Sequence, residues 1–100
     1  MAKAKRLEPI TPGEILLEEF MKPHRLSQNR LARDLDLSPA RVHDVVHRRS
    51  AITANVALRL AKYFRTTPQF WLNLQTSFDL RGAEISEAKA LREIRPLKAS

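Results

Sequence analysis

Residues 28–47 constrain the fold most, because their apolar and small positions fit two short helices joined by a tight turn. The apolar positions that would face one shared core are Leu31, Leu35, Leu37, Val42 and Val45. Ala32 is small where the two helices must approach each other closely. Ser38 can cap the second helix, and Pro39 suits the first helical position, where its missing N–H is not needed. This arrangement is typical of a helix-turn-helix whose second helix enters the major groove of DNA.

The composition limits the class of protein. One hundred residues make a single domain, which is large enough to bury one helical core. Eighteen Lys and Arg against eleven Asp and Glu give a net charge of +7, which favours a polyanion such as nucleic acid but equally fits a merely basic protein. The absence of cysteine excludes a disulfide framework and thiol catalysis. No apolar run is as long as a signal peptide or membrane span, so we expect a cytoplasmic protein with no membrane partner.

Helix-start signals recur along the chain and strand signals do not, which predicts an all-α fold. Thr11, Pro12 and Glu14 form a capping box, in which the hydroxyl and the carboxylate bind free N–H groups of the first turn. The five predicted helices begin after Thr11, Ser27, Ser38, Thr53 and Thr67. Their ends are expected near Met21, Asp34 and Arg48, before Thr67, and near Leu80, where Gly82 would stop the last helix in a left-handed conformation.

Two terminal segments flank the predicted domain. We divide the chain into a basic arm at 1–7, a helix-turn-helix domain at 8–83 and a C-terminal tail at 84–100. Apolar residues of the tail recur at spacings of three, at Ile85, Ala88, Leu91 and Ile94. This spacing predicts a sixth, weaker helix that ends before Pro96.

The predicted recognition helix has polar and small residues away from its apolar face. These candidates for base contacts are Ala40, Arg41, His43, Asp44 and His47. Arg41 can bind the O6 and N7 atoms of guanine with two hydrogen bonds, Asp44 can accept from cytosine N4, and Ala40 can contact a thymine methyl group. The alternative is that these residues are the solvated face of a small helical bundle.

A second set of residues is suited to phosphate contacts. Backbone N–H groups and short polar side chains at the amino ends of the two helices can bind a phosphate, and arginines add charge. The candidates are Ser27, Gln28, Asn29, Ser38, Arg48 and Arg49, with further charge from Arg30 and Arg33.

His43 and His47 also permit a catalytic interpretation. They lie one helical turn apart beside Asp44, which is similar to the H-E-x-x-H pattern of zinc peptidases. A catalytic zinc needs a third protein ligand, and His24 is the only other histidine. A zinc-dependent hydrolase therefore stays an alternative, and we expect no metal, no cofactor and no enzymatic activity.

The fifth predicted helix is apolar on more than one side, because Trp71 and Leu72 point away from the face of Phe70. One side can pack on the core and the other on a second copy. The candidate dimer interface comprises Phe70, Trp71, Leu74 and Phe78. The alternative is that the same core buries them all.

Five segments together resemble the HigA (VapI-type) antitoxins of the lambda-repressor-like helix-turn-helix superfamily. They are ITPGEIL at 10–16, the core of residues 28–47, AITA and ALRLA at 51–54 and 57–61, and FWLNLQ at 70–75. The resemblance covers roughly residues 8–81. It implies a compact five-helix domain that forms a homodimer, neutralises a HigB toxin (a ribosome-dependent mRNA endonuclease) and represses its own operon at a palindromic operator.

The chain departs from the family pattern at two places. Asp36 replaces the glycine that is common in the turn, although aspartate tolerates a left-handed backbone better than most residues. His47, Arg48 and Arg49 stand where such proteins often have Asn-Gly and a basic residue, which alters the end of the recognition helix.

Acidic residues of the first helix are the candidate toxin contacts. Glu14, Glu18 and Glu19 could attract a basic nuclease. The alternative is that Glu14 complements the helix dipole and the other two are solvated. A solitary helix-turn-helix regulator without a toxin is the alternative for the whole protein.

Overall fold

Helices account for the regular structure of residues 10–98, which are the residues that the computed structural model describes. They are α1 (Pro12–Ile15), α2 (Gln28–Leu35), α3 (Pro39–Val46), α4 (Ala54–Phe64), α5 (Pro68–Ser86) and α6 (Ala88–Glu93). A π-helical stretch at Leu16–Met21 continues α1 directly. No strand occurs within residues 10–98, so the predicted all-α fold and the sixth helix are confirmed. The predicted arm at 1–7 lies outside the described residues.

The predicted caps form the amino ends of five helices. Each hydroxyl accepts a hydrogen bond from the backbone N–H three residues later, at 3.0 to 3.4 Å, in Thr11, Ser27, Ser38, Thr53 and Thr67. The Thr11 N–H also donates to Oε1 of Glu14 at 3.3 Å, which completes the capping box. Because such a cap contributes about 1 kcal/mol to helix stability, the starts of these helices are strongly determined by local sequence.

The core is one cluster of buried side chains from the π-helical stretch, α2, α3, α4 and α5, together with Ile52 from the segment before α4. The predicted helix-turn-helix core is confirmed: Leu31, Leu35, Val42 and Val45 are at most 5% exposed, and Leu37 packs against them. Ala32, at 1% exposure, allows the close approach of α2 and α3. The core therefore fixes the angle between the two helices that would meet DNA.

The turn between α2 and α3 depends on one left-handed residue. Asp36 has φ 58° and ψ 46°, a left-handed conformation that aspartate tolerates better than most residues. Arg59 of α4 braces this turn, because its Nη1 donates to the Leu35 carbonyl oxygen at 2.7 Å while its Nε donates to Oδ1 of Asn55 at 2.7 Å. The carbonyl at the end of α2 is thus bound by a charged donor from α4.

Gly13 lets α1 contact the carboxyl end of α3 without an intervening side chain. A Cβ atom at this position would lie 2.7 Å from the carbonyl oxygen of Val46 and closer still to that of Val45. Both oxygens belong to the backbone and have little room to move. The absence of a side chain at Gly13 is therefore required for this packing.

The C-terminal part corrects two expectations. Gly82 does not end the fifth helix, since α5 continues to Ser86 and no glycine among residues 10–98 has positive φ. The predicted domain boundary at 83/84 consequently falls inside α5. The residues that would anchor the tail lie at the surface, with Ile85, Leu91 and Ile94 between 50% and 66% exposed. No helix in residues 10–98 is both long and apolar enough to cross a membrane.

Candidate nucleic-acid interface

The side of α3 opposite the core is open to solvent. Val42, Val45 and Val46 are buried, whereas Ala40, His43 and His47 are exposed. Arg41 and Asp44 are half-buried at the edges of this side. Four of the predicted base-contact residues thus lie on α3, and His47 is its C-cap.

Arg41 extends toward the amino end of α4. Its Nη2 donates to Oγ1 of Thr53 at 3.3 Å, and the same hydroxyl caps α4. The guanidinium has further N–H groups, so this contact directs Arg41 without using all its donors. Thr53, which the sequence predicted only as a cap, therefore also contacts a candidate base-contact residue.

Gln28, a predicted phosphate contact, binds the side chains of His43 on the recognition helix and of His47 at its end. Its amide lies 3.2 Å from Nδ1 of His43 and 3.3 Å from Nε2 of His47. The two imidazole centroids are 4.2 Å apart. We call these three side chains the Gln–His unit. Sequence spacing could indicate that the two histidines are neighbours, but it could not indicate the contact with α2.

The remaining phosphate candidates surround α3. Ser27 and Ser38 use their hydroxyl oxygens as caps at the amino ends of α2 and α3, and Asn29 is exposed beside the first of them. Arg48 and Arg49 follow α3, and the guanidinium of Arg48 lies 3.7 Å from the Glu14 carboxylate.

The segment 47–53 between α3 and α4 has a defined backbone. The N–H groups of Arg49 and Ser50 donate to the Asp44 carbonyl oxygen at 2.7 and 3.2 Å. The N–H of Ile52 donates to Oε1 of Gln75 on α5 at 2.8 Å. Gln75 belongs to the FWLNLQ segment, but nothing in the sequence links its amide to a residue 23 positions away.

A capped α3, a braced turn between α2 and α3, and an exposed polar side of α3 are the features of a DNA-reading helix-turn-helix. The family model for the Cro/C1-type HTH DNA-binding domain matches residues 17–69. The chain belongs to this helix-turn-helix family. Its match includes α2, α3 and α4 together with the turn at Asp36.

Individual proteins refine this placement within the Cro/C1-type family. The chain is 44% identical to virulence-associated protein I of Dichelobacter nodosus over 96% of this chain and 88% of that protein. It is 32% identical to antitoxin HigA-1 of Vibrio cholerae over 100% of this chain and 93% of that protein. A structure of Pseudomonas aeruginosa antitoxin HigA with the higBA promoter superposes with a TM-score of 0.87 at 42% identity, over 91% of this chain and 100% of that one. The resemblance to HigA antitoxins is confirmed.

An ion and hydrogen-bond cluster lies at the carboxyl end of α2. The Tyr63 hydroxyl donates to Oδ2 of Asp34 at 2.6 Å, and Arg30 lies 3.4 Å from the same oxygen. The hydrogen bond from Tyr63, with help from the arginines, lowers the pKa of the Asp34 carboxyl from its ordinary value of 3.8. The same bond raises the pKa of Tyr63. Arg30 and Arg33 therefore both have a carboxylate neighbour, which reduces the charge that they present to DNA.

The candidate dimer interface needs one correction. Trp71 is fully buried within one chain, and its Nε1 donates to Oγ1 of Thr66 at 2.7 Å, so its side chain offers no surface to a second copy. Phe70 is 38% exposed, and Leu74 and Phe78 are half-buried. These three residues remain candidates for a contact with a second copy on one side of α5.

The acidic candidates occupy different environments. Glu14 is half-buried, belongs to the capping box and lies beside Arg48. Glu18 and Glu19 are exposed on the π-helical stretch, and Glu18 forms a 2.8 Å ion pair with Lys22.

In the part of the chain that the structure describes, the histidine pair has no third ligand nearby. Within residues 10–98, no three His, Cys, Asp or Glu side chains lie close enough together to hold a metal ion. The zinc-dependent interpretation of His43 and His47 therefore lacks the ligand set that a catalytic zinc needs.

Proposed function

We propose that the protein is a sequence-specific DNA-binding antitoxin, which acts in the cytoplasm, neutralises a HigB-type mRNA endonuclease and represses its own operon. The observation that carries this proposal is the exposed polar side of α3 on a braced helix-turn-helix. The similarity to an antitoxin HigA solved with promoter DNA supports it. No catalytic role is assigned to any residue.

DNA recognition would divide between α3 and its surroundings. In the major groove, Arg41 binds guanine, while Ala40, His43, Asp44 and His47 contact other base edges. The proposed phosphate contacts lie at helix ends and in the segment after α3, and they are Ser27, Asn29, Ser38, Arg48 and Arg49. Phosphate contacts set the register of α3 on the duplex, and base contacts select the sequence.

A homodimer would place two recognition helices on a palindromic operator. We assign the interface to one side of α5, where Phe70, Leu74 and Phe78 are spaced by four residues and Ile85 continues their stripe. Phe70 and Ile85 are 38% and 60% exposed, and Leu74 and Phe78 between them are half-buried. An exposed apolar stripe of this kind is suited to a symmetric contact with a second copy.

The toxin contact is assigned to the acidic side of the first helical segment. Glu18 and Glu19 are exposed there and could attract a basic nuclease, whereas Glu14 is engaged in the capping box. Reversing Glu18 and Glu19 to lysine should weaken toxin binding and make it less sensitive to salt. Binding unchanged by the reversal would identify a solvated face instead.

Purification from the native cell tests the antitoxin assignment. The protein should retain a small basic partner in stoichiometric amount, and it should shift a duplex from the region upstream of its own gene. Repeated absence of the partner, with DNA binding intact, would leave a solitary helix-turn-helix regulator. Absence of sequence-specific DNA binding would refute both functions.

A further inference from the structure

The Gln–His unit joins α2 to the exposed side of α3 through both ends of one amide. Oε1 of Gln28 lies 3.2 Å from Nδ1 of His43, and Nε2 of Gln28 lies 3.3 Å from Nε2 of His47. The histidines follow Gln28 by 15 and 19 positions and are both exposed. Their rings lie at an interplanar angle of 39° with centroids 4.2 Å apart. The three side chains therefore cannot reorient independently without losing a hydrogen bond.

The chemistry of the amide makes the two imidazoles different. An amide oxygen only accepts a hydrogen bond, and an amide nitrogen only donates. In this orientation of the amide, the hydrogen bond to His43 forms when its Nδ1 carries a hydrogen, and the hydrogen bond to His47 forms when its Nε2 carries a lone pair. A neutral imidazole has one donor and one acceptor nitrogen. The remaining nitrogen of neutral His43 is therefore an acceptor, and the remaining nitrogen of neutral His47 is a donor.

We infer that Gln28 is a specificity-determining positioning residue, which presents an acceptor on His43 and a donor on His47 to the bases. The inference rests on the proposed function, because it requires α3 to lie in the major groove. The acceptor matches the amino groups of adenine N6 and cytosine N4, and the donor matches guanine N7 and O6 or thymine O4. At two positions of each half-site, His43 would thus select a base that presents an amino group, and His47 a base that presents a hydrogen-bond acceptor.

This role differs from the phosphate contact that the sequence predicted for Gln28. A phosphate contact would use only the amide N–H₂, whereas both ends of this amide are bound to histidines, and His47 accepts one of its two N–H hydrogens. Asn29, the next residue of α2, has an exposed side chain and remains a phosphate candidate. Substitutions of Gln28 and Asn29 should therefore affect DNA binding differently, and the two neighbouring positions form a matched pair for the test.

The test replaces Gln28 by methionine, which has similar length and helix propensity but makes neither hydrogen bond. Binding is titrated with a duplex from the upstream region of the protein's own gene and with its single-base variants. Loss of two hydrogen bonds should weaken binding to the parent duplex about tenfold. Preference should relax at two base pairs per half-site. His43→Ala should relax one of these and His47→Ala the other, whereas Asn29→Ala should weaken binding to all duplexes equally.

Nitrogen-15 spectra of the imidazole rings supply a readout independent of DNA. Nδ1 of His43 and Nε2 of His47 should show opposite protonation in the wild type, and Gln28→Met should remove this difference without changing the melting temperature by more than a few degrees. An equal loss of affinity for every duplex in Gln28→Met would make Gln28 a phosphate contact and overturn the inference. A wild-type protein without any base preference would instead refute the proposed function itself.

Discussion

The α2–α3 region and the C-terminal region differ in how much of their apolar side chains is exposed to solvent. In α2 and α3, Leu31 and Val42 are at most 3% exposed, so the apolar side chains are buried within one chain. From the end of α5 onward, Leu80, Leu91 and Leu97 are between 50% and 98% exposed. The α2–α3 region is therefore complete in one chain, whereas the C-terminal region carries apolar surface that a second molecule could cover.

The largest expected effect is on the free energy of unfolding, when a buried and an exposed apolar residue are each replaced by alanine. Trp71→Ala should lower the free energy of unfolding by about 3 to 5 kcal/mol, because it leaves a cavity among Phe20, Phe64 and Phe70. Urea unfolding followed by circular dichroism measures the change. Leu91→Ala, at an exposed position, should change the same quantity by less than about 0.5 kcal/mol. Similar losses in both variants would contradict the contrast between the two regions.

The two glycines provide the next comparison. Gly13→Ala should destabilise the protein by about 3 kcal/mol, because its Cβ atom would press on backbone oxygens of α3. Gly82→Ala should instead stabilise α5 by up to about 1 kcal/mol, since a Cβ atom there meets nothing within 4 Å. Thermal unfolding of both variants checks the opposite signs. A tolerated Gly13→Ala would mean that α1 can move away from α3 at little cost.

DNA binding should distinguish base from phosphate contacts within the α3 region. Arg41→Ala should weaken binding to the cognate duplex by ~1 to 3 kcal/mol and relax the preference at one base pair per half-site. Arg48→Ala should weaken binding to all sequences alike and make the salt dependence shallower by about one unit. Titration at several salt concentrations measures both. Equal losses on cognate and scrambled DNA would make Arg41 a backbone contact.

Self-association should respond to the exposed stripe of α5 and leave the α2–α3 region intact. Ile85→Ser should weaken the dimer about tenfold, as truncation of an interface residue typically does. Sedimentation equilibrium gives the dissociation constant. Leu97→Ser, 98% exposed beyond α6, is the matched control and should leave the constant unchanged. A wild type that is monomeric at every concentration would remove α5 as an interface.

The smallest effect concerns the bond between Tyr63 and Asp34. Because the folded state lowers the pKa of Asp34, this bond stabilises the protein above pH 3.8, and the contribution is lost as pH falls through the lowered pKa. The raised pKa of Tyr63 sets the upper limit, since the contribution also disappears as pH rises through that value, above 10.0. Tyr63→Phe should therefore be less stable than the wild type at pH 7, and the unfolding curves of the two proteins should converge as pH falls through the lowered pKa of Asp34.

The sequence predicted those features that arise from neighbouring residues. Ser38 and Pro39 start α3 through local hydrogen bonding and a fixed φ angle, and the spacing of Leu31 and Leu35 follows the helical period. It did not predict that Trp71 faces the core, because a helix that is apolar on two sides does not reveal which side is inside. Gly82 was also misjudged, since glycine permits a left-handed turn but does not impose one.

Contacts between distant side chains were beyond prediction. The contacts of Gln28 with the two histidines and of Arg59 with the Leu35 carbonyl link different helices, and the contact of Gln75 with the Ile52 N–H links α5 to the segment before α4. Polar side chains of this length can reach many partners, and sequence spacing does not choose among them. The candidate site was therefore predictable as a set of residues on α3, while the contacts that orient those residues were not.

The contact at Gly13 has a consequence for the motion of the recognition helix. Where two helices meet through side chains, rotamer changes can absorb small displacements, but backbone packed on backbone leaves no such slack. The carboxyl end of α3 therefore cannot shift toward α1, and any tilt of α3 must separate the two segments. Amide hydrogens at the end of α3 and at the start of α1 should accordingly exchange with solvent through one shared opening event. Through this contact, α1 holds the carboxyl end of the recognition helix in a fixed position relative to the rest of the domain.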